Sequence, residues 1–231
     1  MPSILITGNK GFIGSGLVGD GIDIKDGVDI VTYKAKKNYD VVIHTAALTS
    51  VTESMKVPEK YRKTNVVGTL NMLTQHPEAH FIYLSTASVY GEGHNHTVMS
   101  PAKPSSVYAH TKLQGEQAIK RFAKSWCILR LTNVIGDGER GEPNVYQVFQ
   151  KVDIIPIYGD GLQTRDFVQV EHVRKVIMSC LNKNGLFNVG SGVSKTVLEV
   201  AKEFNKPIQY FPARKGELRN FGIKDPFNYI A

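Results

Sequence analysis

An α/β fold built on a doubly wound parallel sheet, with a small C-terminal lobe beside it, is the architecture this sequence predicts. Three observations carry that reading. Short, nearly continuous apolar runs recur along the first half of the chain: Ser3 to Thr7, Asp40 to Ala47, His80 to Leu84 and Trp126 to Leu131. Such runs suit strands buried on both faces of a parallel sheet. The stretches between the later runs read as helices, giving the strand–helix alternation of βαβ units. The first strand also runs directly into a glycine-rich turn, Gly8-Asn9-Lys10-Gly11-Phe12-Ile13-Gly14.

Length and composition fit that class. The chain has 231 residues, 42% of them hydrophobic and 21% charged, enough for one sizeable core or for one core with a lobe. Cys127 and Cys180 sit in apolar contexts with no second Cys or His at ligand spacing, so buried reduced thiols and no metal site are expected. The N-terminus enters a strand at once, so no signal peptide is expected. No apolar run approaches the ~20 residues of a membrane span, and the expectation is a soluble, cytoplasmic protein with no membrane partner. The net charge of +7 is dispersed, with Lys34-Ala35-Lys36-Lys37 as its one cluster, which reads as a solvated loop. A field of that kind suits small anionic ligands such as nucleotides better than nucleic acid.

The glycine turn is the first functional signal. Gly8, Gly11 and Gly14 let backbone approach a pyrophosphate, and a short helical stretch after them would aim free N–H groups at it. The spacing is G-x-x-G-x-x-G, and Lys10, Phe12 and Ile13 complete the loop. Gly21 to Ile24 reads as a second strand and Gly27 to Ile30 as a third. An acid ending the second strand binds ribose hydroxyls and disfavours a 2′-phosphate. Asp23 and Asp26 compete for that role. Lys10 points the other way, toward the 2′-phosphate of NADP. Asp29 and Ile30 are placed to hold an adenine edge, with loop solvation as the alternative for the acids.

Ala46 and Ala47 end the strand from Asp40, where a cofactor can pass close to the backbone. His44 within that strand reads as a packed core residue. A helix is expected over Val57 to Thr74, containing Asn65. The hydroxyl-rich segment from Ser85 and Thr86 to Gly91 follows the strand from His80, at a carboxyl end where ligands of open α/β sheets bind.

A helix is predicted from Val107 to Ala123, and it carries Tyr108 and Lys112 four residues apart, on one face. A cation held near a phenol favours the phenolate and lowers a pKa that is ordinarily near ~10. Tyr108 is therefore the candidate general base for a sugar or alcohol hydroxyl. Beyond Trp126 to Leu131 the rhythm loosens. Helices are expected over Asn144 to Lys151, Glu171 to Lys183 and Lys195 to Asn205, and strands over Ile154 to Tyr158, Asp166 to Val170, Leu186 to Val189 and Pro207 to Phe211. A boundary near Gly136 divides a Rossmann-type dinucleotide-binding part, 1–136, from a substrate-binding lobe, 137–231, partly interleaved with it.

Taken together these segments resemble the extended short-chain dehydrogenase/reductase family, specifically its NAD-dependent nucleotide-sugar epimerases and dehydratases. The matches are Thr7-Gly8-x-x-Gly11-Phe12-Ile13-Gly14, Val42-Ile43-His44-x-Ala46-Ala47, Asn65-Val66-x-Gly68-Thr69, Leu84-Ser85-Thr86-x-Ser88-Val89-Tyr90-Gly91 and Tyr108-x-x-x-Lys112. Leu129-Arg130-x-x-Asn133-Val134-x-Gly136, the run from Tyr158 to Val170 with Arg165-Asp166-Phe167, and Asn188-Val189-Gly190-Ser191-Gly192 extend them.

The resemblance implies Tyr108 as base, Lys112 as its partner and ribose ligand, and Thr86 as the hydroxyl on the reacting oxygen. It implies cofactor contacts at Asn65 and Ser85, with a structural Asn65 as the alternative. Asn133 and Arg165 would meet the diphosphate of a nucleotide sugar, with an internal ion pair as the alternative for Arg165. Arg214 and Glu217 would meet phosphate and ribose. NAD is the implied cofactor, with NADP left open by Lys10, and a homodimer is the assembly left open. The implied chemistry is transient hydride transfer through a keto-sugar, most simply 4-epimerisation of a UDP-hexose. Family dehydratases carry an Asp-Glu pair after the Thr, and here Ala87 and Ser88 stand there. A keto-sugar reductase using NADPH and a non-catalytic cofactor-binding module are the rival readings.

Overall fold

A computed structural model of the chain describes residues 2–138, 143–213 and 219–227. The first strands in chain order are β1 (Ile4–Thr7), β2 (Asp20–Ile22), β3 (Val41–His44), β4 (His80–Thr86), β5 (Gly93–His96) and β6 (Ser125–Leu131). After them come β7 (Asn133–Ile135), β8 (Ile155–Tyr158), β9 (Thr164–Gln169), β10 (Gly185–Val189), β11 (Ser194–Thr196), β12 (Ile208–Phe211) and β13 (Phe221–Ile223). The helices are α1 (Val51–Lys56), α2 (Pro58–Arg62), α3 (Gly68–Gln75), α4 (Val107–Phe122), α5 (Val145–Lys151), α6 (Val170–Ser179) and α7 (Val197–Lys202).

Six of the strands form one sheet in the order β10-β6-β4-β3-β1-β2, every pairing parallel. The order reverses between β1 and β3, the switch point at which doubly wound sheets bind ligands. Side chains alternate between two cores, as the two-residue period of a strand requires. Ile6, Ile43, Ile82, Cys127 and Leu129 face α6 through Val173, Val176 and Ile177. Leu5, Val42, Phe81, Tyr83 and Ile128 face Met72 and Leu73 of α3 and Ala118 and Ile119 of α4. Burying an aliphatic side chain of this size contributes about 1.5–3 kcal/mol, so the two layers fix the sheet and the strand ends with it. Both cysteines are buried free thiols.

The chain beyond Gly136 does not stay apart. α6 packs on the main sheet and β10 forms its edge beside β6. A separate cluster of Phe149, Ile155, Ile157, Val197, Val200 and Ala201 holds α5, β8 and α7 together.

One expectation near the N-terminus holds in reduced form and one is corrected. The short helical stretch after the glycine turn is a single 3-10 turn, Gly14–Gly16. Gly8 to Gly19 must make the whole connection from β1 to β2, and Gly14, Gly16 and Gly19 each cost a helix about 1 kcal/mol. The expected third strand is a turn. Asp23 caps a 3-10 turn over Ile24–Asp26, Gly27 closes it at φ 76°, and the Asp29 carboxylate accepts from the Val31 N–H at 2.9 Å. Asp and Gly at such spacing bend a chain rather than extend it.

The helix expected over Val57 to Thr74 is broken. Pro58 disfavours helical backbone at Val57, so α1 ends there and α2 begins. A π turn over Lys63–Val67 then joins α2 to α3.

Candidate functional site

A cavity of about 1470 Å³ opens at the carboxyl ends of the central strands. That exceeds the roughly 300–1,000 Å³ of an ordinary small-molecule pocket and has room for two ligands side by side. Gly8, Lys10, Gly11, Phe12, Ile13, Asp23, Asp29, Ile30, Ala46 and Ala47 line one end. Ser85, Thr86, Tyr108, Asn133 and Arg165 line the other.

The glycine turn is a tight cradle. Gly8 sits at φ +71°, and a Cβ there would meet Ala46 Cα and N at 2.9 Å. A Cβ at Gly14 would run into the Gly8 carbonyl oxygen. The Gly11 N–H closes the turn onto that same oxygen at 2.9 Å. Without Cβ atoms at these positions the loop folds tightly on itself and against Ala46, the close backbone turn that a pyrophosphate-binding loop needs, so the residues present fit a bound dinucleotide.

Asp23 follows β2 and accepts from the Lys10 and Lys25 N–H groups, each at 2.9 Å. It ties the glycine loop to the end of β2 and keeps lone pairs for a ribose hydroxyl. Asp26 pairs with the Lys10 ammonium at the surface, both side chains about half exposed, a contact of little net strength.

Asn65 is drawn away from the cavity. Its amide donates to the Leu48 carbonyl and accepts from the Leu48 N–H, at 3.0 and 2.9 Å, and also donates to Thr111 Oγ1 at 3.0 Å. It fastens the segment after β3 to α4, the structural alternative among its two readings.

Tyr108 begins α4, where Ser106 caps the helix and the Tyr108 N–H donates to Ser54 Oγ at 3.1 Å. Thr86 ends β4, and its hydroxyl accepts from the Ser88 N–H at 3.2 Å. Lys112 lies one turn below Tyr108, only 3% exposed, with its ammonium 4.2 Å from the Tyr83 ring centroid. Burial pulls its pKa down to about 7, against an opposing pull from Glu116. His44 is held by Thr7 and Thr69, and burial, with Lys112 second, drives its pKa to about 3. It stays neutral, a core residue.

Beneath this pair lies a network that sequence reasoning missed. Glu116, fully buried, takes two bonds from Arg130, Nε to Oε1 at 2.9 Å and Nη2 to Oε2 at 2.7 Å. The Ser85 hydroxyl donates to Glu116 Oε1 at 2.5 Å, so Ser85 serves this network while lining the cavity. Arg130 also stacks over the Tyr90 ring at 4.7 Å, and the Tyr90 hydroxyl donates to Asn188 at 2.7 Å. Two signals were available: Glu116 repeats the four-residue step from Tyr108 to Lys112, and Arg130 interrupts an apolar strand.

On the far side, Asn133 donates to the Asp166 carbonyl at 3.2 Å and Arg165 to the Thr164 carbonyl at 2.7 Å. Asp166 is buried and accepts from the Ser191 and Gly192 N–H groups at 2.7 and 2.8 Å, fastening that turn to β9, the strand that carries Arg165. Asn144, Gln147 and Lys151 of α5 also line the cavity, at a helical spacing that could have been noticed. Arg214 and Glu217 lie outside the described residues. Among the described residues no His/Cys/Asp/Glu group could hold a metal ion, and no helix is long and apolar enough to cross a membrane.

A parallel sheet with its glycine turn at the switch point, and a Tyr/Lys helix beside the same cavity, defines a dinucleotide-dependent α/β enzyme class. Residues 19–190 match the model of the NAD dependent epimerase/dehydratase family, and the chain belongs to that family. It is 30% identical to the UDP-glucose 4-epimerase of Halalkalibacterium halodurans, over 84% of this chain and 70% of that one. It is 29% identical to UDP-glucose 4-epimerase 3 of rice, over 84% of this chain and 64% of the relative. The chain thus spans 64% and 70% of the length of these two relatives. Among solved structures it superposes on MoeE5 in complex with UDP-glucose and NAD with a TM-score of 0.83, at 27% identity, covering 96% of this chain and 89% of that one. The UDP-glucose 4-epimerase of Thermotoga maritima with UDP-glucose gives 0.83 at 26% identity, covering 96% and 90%.

Proposed function

We propose that this chain is a nucleotide-sugar epimerase that uses NAD and works through a keto-sugar intermediate, most simply a 4-epimerase of a UDP-hexose. The observation that carries the reading is one cavity holding the glycine cradle at one end and Tyr108 with Thr86 at the other. The likeness to UDP-glucose 4-epimerases supports the substrate class.

The Gly8–Gly14 turn would hold the cofactor pyrophosphate and Asp23 its adenosine ribose. When bound, NAD supplies a reversible hydride acceptor. Tyr108 takes the proton from the sugar hydroxyl, and the Thr86 hydroxyl steadies the same oxygen. Asn133 and Arg165 hold the diphosphate, a task that suits a guanidinium. Turning the keto-sugar over within the site lets the proton and hydride return with the opposite configuration. Ala87 and Ser88 carry no acid or base for eliminating water, which weighs against a dehydratase.

Incubation with a panel of nucleotide sugars and sub-stoichiometric NAD tests the reading. The expected result is many turnovers to an epimer with no net change in reduced-nicotinamide absorbance. Oxidation of NADPH only when a keto-sugar is supplied would replace it with the reductase reading. Arg165→Ala is expected to weaken sugar-nucleotide binding by about 1.5–3 kcal/mol, the size of a hydrogen bond to a charged group, with NAD binding nearly unchanged. Calorimetric titration of each ligand checks it, and an unchanged sugar-nucleotide affinity returns Arg165 to a structural role. Gly14→Ala drives a methyl group into the Gly8 carbonyl and is expected to lower NAD affinity at least about tenfold, or 1.4 kcal/mol. Fluorescence titration with NADH reads that loss.

A further inference from the structure

Arg174 of α6 reaches across the molecule to the back of the glycine turn. Its Nη2 donates to the Phe12 carbonyl at 2.7 Å and its Nε to the Ile13 carbonyl at 3.1 Å. A Cβ at Gly16 would run into the guanidinium, so that glycine leaves room for it.

In an α-helix these two carbonyls would accept from the N–H groups four residues on, at Gly16 and Leu17. Here the Gly16 N–H makes only a long bond, 3.4 Å, to Ile13, and the Leu17 N–H goes to Gly14 at 3.1 Å. The helix that ordinarily follows such a turn, and fixes it, is missing. We propose that Arg174 replaces that helix as the positioning residue of the pyrophosphate loop.

In a trans peptide the N–H points opposite to the C=O. Holding the Phe12 and Ile13 carbonyls therefore turns the amides of Ile13 and Gly14 away from the guanidinium. Gly11, Phe12 and Ile13 line the cavity, so an Ile13 amide turned from the guanidinium is available to the ligand there. The guanidinium also sets a full positive charge behind the loop, where a helix N-terminus would supply about half a charge. Glu171 stands 3.7 Å from Nη1 at the surface and offsets part of that charge.

This inference rests on the NAD reading, and the test separates the two. NAD, ADP and adenosine are titrated against wild type, Arg174→Ala and Arg174→Lys, with circular dichroism confirming the fold. For Arg174→Ala, NAD and ADP are expected to bind about tenfold or more weakly, while adenosine, which lacks phosphate, stays within about twofold. Arg174→Lys, able to bridge only one carbonyl well, should fall between. NAD affinity within about twofold of wild type in the Ala variant overturns the proposal, and so does an equal loss for adenosine and NAD. If Arg174→Ala does not fold, Arg174→Lys decides: a loss confined to NAD and ADP supports the role, and no loss overturns it. If wild type binds neither NAD nor ADP, the NAD reading itself fails and this inference fails with it.

Discussion

Tyr108→Phe is expected to lower kcat by about 10²- to 10⁴-fold, the range a positioned acid–base group supplies. NAD affinity should change by less than about threefold, or 0.7 kcal/mol. The substitution removes one oxygen and leaves the ring. The helix start keeps its Ser106 cap and its bond to Ser54, because both are made by backbone N–H groups. A stopped assay with the active sugar, beside an NADH titration, separates chemistry from binding. Full activity in the variant would sink the catalytic assignment.

The second large effect is on stability. Arg130→Ala strands the Glu116 carboxylate with only the Ser85 hydroxyl as a direct partner, in a site fully closed to water. Breaking a buried pair in this way costs about 3–5 kcal/mol. Against a total of roughly 5–15 kcal/mol, that should be visible as a large fall in the urea midpoint. A midpoint unchanged from wild type would show that the pair contributes no net stability. Replacing both partners, Arg130→Met with Glu116→Leu, should recover most of the loss, because no uncompensated charge is then left.

The double variant should not recover activity. Glu116 is the group that raises the Lys112 pKa against burial. Without it the ammonium loses its proton more readily and supports a Tyr108 phenolate less. The wild-type linkage has a definite sign. Lys112 has a folded pKa of about 7, below its ordinary 10.5. Between those values the unfolded chain binds the proton and the folded one does not, so this group makes stability rise with pH. Below about pH 7 its destabilising effect is complete.

Much of this was legible in the sequence, for a physical reason. Buried parallel strands must be apolar on both faces, so β1, β3, β4 and β6 announce themselves. Tyr108 and Lys112 are neighbours on one helix, and local spacing is enough to join them. Glu116 and Arg130 are joined only by the packing of α4 on β6, and an acid within a helix reads first as solvent-facing. Asn65 matched a motif, yet its role depended on where Leu48 and Thr111 came to rest. The strand expected at Gly27 to Ile30 failed for the opposite reason: an expected pattern was imposed where Asp23, Gly27 and Asp29 bend the chain.

The clamp on the glycine turn also bears on the order of assembly during synthesis. Phe12 and Ile13 leave the ribosome early, while the side chain that holds their carbonyls follows 162 and 161 residues later. A turn secured by its own following helix could mature with the first strands. This one must wait for α6 to dock, and contacts of such long sequence separation are slow to close. A nascent chain halted before Arg174 would already have β1, β3 and β4 available to pair, but its nucleotide loop would still lack its fastening.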